Sequence, residues 1–313
     1  MKKLLLATTA LAMSAGVAAA DVSVSGDGRF GVLYDGNDWQ FTQRIRARFN
    51  MSGTTDTGLT FGGWFRAQSA GGAAAGRAAD GGGQNVFIAG AFGRLSMGDV
   101  PGAVQTAVGD LHGVGLTGLG FHNENIFFQR NFGGGAAGVD GPNALYTYSM
   151  AGFNIAASIS QLDTVVNTPV AGALTGTVFG LGVSYEMDGL TAGIGYEIFD
   201  TTGSNGDHIA VGVGYDFGIA EVRATYGRIN NTTRNAFGFT ENEQFGISGS
   251  GSFDATTVSA YVRRDFANTT NYGIGASYSL GGGLSLVGGI VYRDFAFGGG
   301  DDTRADFGVN MSF

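Results

Sequence analysis

Trp39-Gln40-Phe41-Thr42-Gln43-Arg44-Ile45-Arg46-Ala47-Arg48-Phe49-Asn50-Met51 carries two alternating kinds of side chain. Successive residues of a strand point to opposite faces. Trp39, Phe41, Ile45, Ala47, Phe49 and Met51 therefore share one face, and Gln40, Thr42, Arg44, Arg46, Arg48 and Asn50 the other. The first face is apolar, and the second bears three guanidinium groups in a row. Upstream, residues 22–34 divide the same way, with Val22, Val24, Phe30, Val32 and Tyr34 opposite Ser23, Ser25, Asp27 and Arg29. Downstream, residues 59–68 place Arg66 on one face with Trp64 and Gln68.

The pattern continues through 84–91, 93–99, 143–150, 153–161, 177–186, 190–200, 207–217, 219–229, 241–251, 254–266, 271–280, 284–295 and 303–313. That makes about 16 segments of the length and alternation expected of an antiparallel transmembrane barrel. A barrel of that size leaves a water-filled lumen. Connection lengths alternate too. Tight links such as Met150-Ala151-Gly152, Met187-Asp188-Gly189 and Gly281-Gly282-Gly283 take turns with the long stretches 69–83, 100–142, 162–176, 230–240 and 296–302. One-way insertion requires such an arrangement, because only the turn end crosses the membrane. Aromatics near strand ends, Tyr34, Trp39, Tyr185, Phe199 and Tyr215, are placed as interface girdles are. A sheet in lipid tolerates no open edge, so the first and last strands are expected to pair.

Residues 1–20 have the form of an export signal: Lys2 and Lys3, an apolar run over 4–13 and a small-residue end, with cleavage expected before Asp21. No later window offers the roughly 18 apolar residues of a spanning helix. The 17 basic residues less the two leader lysines leave 15 arginines against 26 acids. Such an acidic chain argues against nucleic-acid binding, which wants a basic stripe. With no cysteine in an exported chain, disulfides and thiolate metal sites are excluded. The 58 glycines are interleaved with 24 Phe and 11 Tyr, which excludes disorder by composition. No Pro-rich linker divides residues 21–313, which read as one domain.

The interruption at 100–142 is too long for an ordinary connection and calls for a function. It carries Asp110, His112, His122, Glu124 and Arg130, and is expected to fold into the mouth of the barrel and set what passes.

The whole of residues 21–313 resembles the trimeric general diffusion porins of the Gram-negative outer membrane, above all those of purple photosynthetic bacteria. The stretches that carry this are residues 24–32 (VSGDGRFGV), 51–56 (MSGTTD), 97–99 (MGD), 145–149 (LYTYS) and the terminal Phe313. The resemblance implies an all-β, 16-stranded antiparallel barrel whose third long loop folds inward, assembled as a homotrimer. It implies a constriction with Arg29, Arg44, Arg46 and Arg66 on the wall, and Arg48 shares their parity. Asp99, Asp110, Glu124 and Asp140 would face them from the loop side. The loop departs from the family in having few acids, with His112 and His122 where carboxylates are usual.

Passive diffusion of small hydrophilic solutes and ions, without a cofactor, is the expected role. A substrate-selective outer-membrane channel is the alternative. Arginine suits such a wall because its charge persists at any working pH. The acid-rich runs 200–207 and Asp301-Asp302 offer oxygen ligands for a structural Ca²⁺. Gly26-x-Gly28-x-x-Gly31 spells a dinucleotide fingerprint, but no helix follows it. With three histidines and no Gly-x-Ser-x-Gly element, the chain is not expected to be an enzyme.

Overall fold

The computed structural model describes residues 21–70, 83–129, 143–162, 176–201, 204–237, 239–296 and 300–313. They form 16 strands closed into one antiparallel barrel. The strands are β1 (Asp21–Tyr34), β2 (Trp39–Thr54), β3 (Thr60–Ala70), β4 (Gln84–Gly90), β5 (Gly93–Gly98), β6 (Asn143–Met150), β7 (Phe153–Leu162) and β8 (Gly176–Met187). They continue with β9 (Leu190–Thr201), β10 (Ser204–Asp216), β11 (Ala220–Ile229), β12 (Glu243–Phe253), β13 (Thr256–Arg264), β14 (Thr269–Gly281), β15 (Leu284–Phe295) and β16 (Asp302–Ser312). Each strand pairs with its sequence neighbours, and β1 pairs with β16. The closing seam is tied at its end by Gly26 N–H to Phe313 O (3.1 Å) and Phe313 N–H to Gly26 O (2.8 Å). No strand edge is left, as lipid requires.

The outward face is the apolar one. Phe41 is 93% exposed, and Ile45, Val86, Leu181 and Ile274 are exposed with it. Apolar surface on this scale belongs to a membrane rather than to water. No helix among the described residues is long and apolar enough to cross a membrane.

The turns follow from local chemistry. Ala151-Gly152 and Asp188-Gly189 hold positive φ at both positions (51° and 83°, 48° and 83°). This is the mirror-image turn whose twist matches an antiparallel pair. Some connections differ from the sequence reading. β2 continues to Thr54, moving its link to 55–59, and β12 continues to Phe253, so its turn to β13 is Asp254-Ala255. The acid-rich run at 200–207 is mostly ladder, with Asn205 opposite Asp200.

Two short helices escaped the alternation pattern: α1 (Ala103–Val108) and α2 (Asn231–Phe237). Phe199 also corrects the girdle expectation. On β9, Ile194, Tyr196 and Ile198 are exposed, whereas Phe199, of opposite parity, is 1% exposed. It lies in a dry cluster with Ile126, Phe128, Val178, Ile229 and Phe266, its ring 5.2 Å from that of Phe128. Being aromatic near a strand end does not decide which way a side chain points.

Candidate functional site

After β5 the chain leaves the ladder and lies against the face that carries the arginines. Helix α1 has no side-chain N-cap, but Ala103 N–H donates to Ser158 Oγ of β7 (2.8 Å), so the wall satisfies part of the helix end. Its buried Ala103, Val104 and Ala107 rest on glycine-rich strands. A Cβ on Gly193 would stand 1.9 Å from Ala107 O, and one on Gly182 2.3 Å from Ala103 O. Only a bare backbone admits the helix at this distance.

From α1 the segment runs round the barrel and back. Arg223 of β11 donates to Asp110 O (3.4 Å). His112 meets β12 and β11 through Nδ1 to Ser248 Oγ (2.9 Å) and Nε2 to Glu221 Oε2 (3.2 Å). On β16, Asp306 accepts from Leu116 N–H (2.8 Å), Thr117 N–H (2.6 Å) and Thr117 Oγ1–H (2.7 Å). Arg29 of β1 donates to Leu116 O (3.1 Å). On the return, Arg263 donates to His122 O (3.2 Å), and Gln244 brackets Ile126 through N–H to Oε1 (2.9 Å) and Nε2–H to its carbonyl (2.8 Å). Phe128 N–H then donates to Glu197 Oε1 (2.8 Å), which also meets His208 Nδ1 (2.8 Å). Glu197 and His208 are fully buried, and the His208 ring packs edge-on against Phe128 and Phe266. Buried hydrogen bonds from this many strands fix one position for the segment.

Among the described residues these bonds go to β1, β7, β9, β11, β12, β13 and β16, on the side of the barrel away from β2–β5. The wall left uncovered is the arginine wall. Asp27 bridges two of its members, 3.1 Å from Arg44 Nη2 and 2.8 Å from Arg46 Nε. Arg48 lies over the Trp64 ring at 4.0 Å and directly faces Arg66 across the ladder. Arg94 covers Phe87 at 3.6 Å near the turn end.

The acids expected opposite fall in different places. The Asp110 carboxylate accepts from Gln105 Nε2–H (3.0 Å) and Asn125 N–H (2.7 Å), bracing the segment itself. Asp99 attracts Arg66 from the start of the segment. Glu124 sits in the turn closed by its own N–H to Phe121 O (3.0 Å). Asp140 and Arg130 lie outside the described residues. His122 is neutral at ordinary pH, its pKa pushed down to about 3 by burial and then by Arg293, Arg304 and Arg263. No group of three or more His, Asp or Glu placed to hold a metal occurs among the described residues.

The sequence reading missed Asp306, Glu197, Gln244, Glu221 and Arg223 as seats for the segment. Their inward parity was legible, but not which loop atom each would meet.

The sequence profile described as Gram-negative porin matches residues 7–296. The chain belongs to the Gram-negative porin family. This porin is 37% identical over 313 residues to the porin of Rhodobacter capsulatus, covering 94% of this chain and 100% of that relative. It is 32% identical over 311 residues to the porin of Fuscovulum blasticum, again covering 94% and 100%. A porin structure refined at 1.8 Å superposes with a TM-score of 0.75 at 34% identity over 94% of this chain and 100% of that one. A variant of the Rh. blastica porin does so with 0.71 at 27% identity, with the same coverage. Family and fold place the porin in the bacterial outer membrane and make it a channel.

Proposed function

We propose that this porin is a water-filled channel for passive diffusion of small hydrophilic solutes and ions, and that the segment described over 100–129 narrows it from inside. The observation that carries this reading is the division of the wall. One part is sealed by the segment over glycines and buried polar seats, while among the described residues β2–β5 carry no such cover and are lined with guanidinium groups. On this reading the passage runs between the segment and Arg44, Arg46, Arg48 and Arg66. Charges across a narrow aqueous neck order water and polar solutes and disfavour apolar ones. Residues 1–20 are read as the export signal and the assembled state as a homotrimer.

The reading needs no cofactor and no catalysis. Ser248, His112 and Glu221 outline a nucleophilic relay, but Ser248 is 3% exposed and sits under the segment it tethers, so no substrate reaches it.

Reconstitution in a planar bilayer tests the reading. The expected result is stepwise conductance that is linear in voltage and does not saturate in KCl. Saturation in KCl would make it a solute-selective channel, and a silent bilayer would refute the channel.

A further inference from the structure

Two arginine pairs stand on the open wall, and they differ in one respect. Arg44 and Arg46 have a carboxylate between them, that of Asp27, at 3.1 and 2.8 Å. Arg48 and Arg66 are direct cross-strand partners on the same face, yet no carboxylate lies within 4 Å of either guanidinium among the described residues. Like charges directly opposite on a ladder repel, with side chains only about 5 Å apart at Cβ. Arg66 feels that repulsion from Arg46 and Arg48, set against attraction from Asp99 and Asp27 without direct contact, and its Nε, like that of Arg44, is buried without a hydrogen-bond partner. Arg48 is exposed to the aqueous side, held in place by the Trp64 ring beneath it. The stacking leaves the N–H edge of its guanidinium free to donate.

We infer that Arg48 and Arg66 form an oxyanion subsite within the passage, which takes tetrahedral dianions of the phosphate and sulfate class. The Asp27 site two residues along β2 shows the arrangement such a guest completes: two oxygens of one anion shared between two guanidinium groups. Guanidinium edges match phosphate oxygens in pairs. Trp64 pre-positions one of the two, which lowers the ordering cost of capture. The subsite opens to water on one side and has no lid, so it holds its guest briefly and acts as a stepping stone in a diffusion path. Chloride, which has one centre and no paired oxygens, passes without saturating it.

This inference rests on the channel reading, and the experiment separates the two. Single-channel chloride current of the full porin is recorded in KCl at neutral pH while inorganic phosphate is added at constant ionic strength. Phosphate is expected to reduce the chloride current to a plateau, and R48Q/R66Q to raise the half-blocking concentration about tenfold, the loss of one charge-assisted pair. R48Q alone, at an exposed position, is expected to give part of that shift. R228Q, on the outward face of β11, is expected to give none. Chloride current that ignores phosphate in the unsubstituted porin overturns the subsite and leaves the channel standing. Equal block in R48Q and R48Q/R66Q to that of the parent overturns the assignment to these residues. Absence of any current overturns both.

Discussion

His122 shows how far a residue's behaviour is set by what packs around it. Lone histidines in a loop suggest pH sensing, but this ring is buried beside arginines, and its pKa falls to about 3 from 6.5. Between those values the unfolded chain binds a proton that the folded one refuses. Folding stability therefore declines as pH drops from 6.5 toward 3 and owes nothing to this group above 6.5. H122Q is expected to flatten that part of the stability curve, read as urea resistance at about pH 4 against pH 7. Single-channel current should be the same in parent and H122Q across about pH 5–8. A difference in current over that range would mean that the ring titrates near neutrality after all.

At the scale of elements, α1 and the glycines beneath it form one unit. G193V puts a branched side chain where Ala107 O already stands, 1.9 Å from the position of Cβ. The helix must lift or the strand must bend, costing on the order of 1–3 kcal/mol, as overpacking does. Lower thermal stability and a changed single-channel conductance are the expected signs, and a parent-like conductance would show that α1 does not border the passage. The strands around this unit were legible in the sequence because period-two alternation is local. Arg44, Arg46 and Arg48 declared their face, and the paired segments were found to within a few residues. The route of 100–129 was not legible. Leu116 meets Asp306 across 190 positions, and nothing in either neighbourhood names the other. Helix α1 was hidden for a related reason. Its six residues are too few to show a helical period, and its N-terminus is satisfied by β7 rather than by a cap of its own. Asp27 was read onto the polar face correctly, but its bridging role needed the register that sets it opposite Arg46.

For the whole molecule, the barrel wall is uneven. β4 has 7 residues and β5 has 6, short of the about 9–11 needed to cross the hydrocarbon layer. The outward surface there is a concavity bordered by Met51, Phe61, Phe65, Val86 and Met97. A thin, apolar stretch of wall is better covered by protein than by lipid tails, which supports the proposed homotrimer with β2–β5 turned toward its centre. Cross-linking and mass measurement in mild detergent should give three chains, and V86E should release single ones. A single-chain mass for the parent would refute the assembly. The seam between β1 and β16 carries a separate consequence. Residues 26 and 313 exchange two backbone bonds at the same rim, so the ring itself has no preferred beginning. A circularly permuted gene, with a short linker splicing the old termini and a new start in an exposed connection at the opposite end, would encode the same cylinder and shift only the order in which its staves are made.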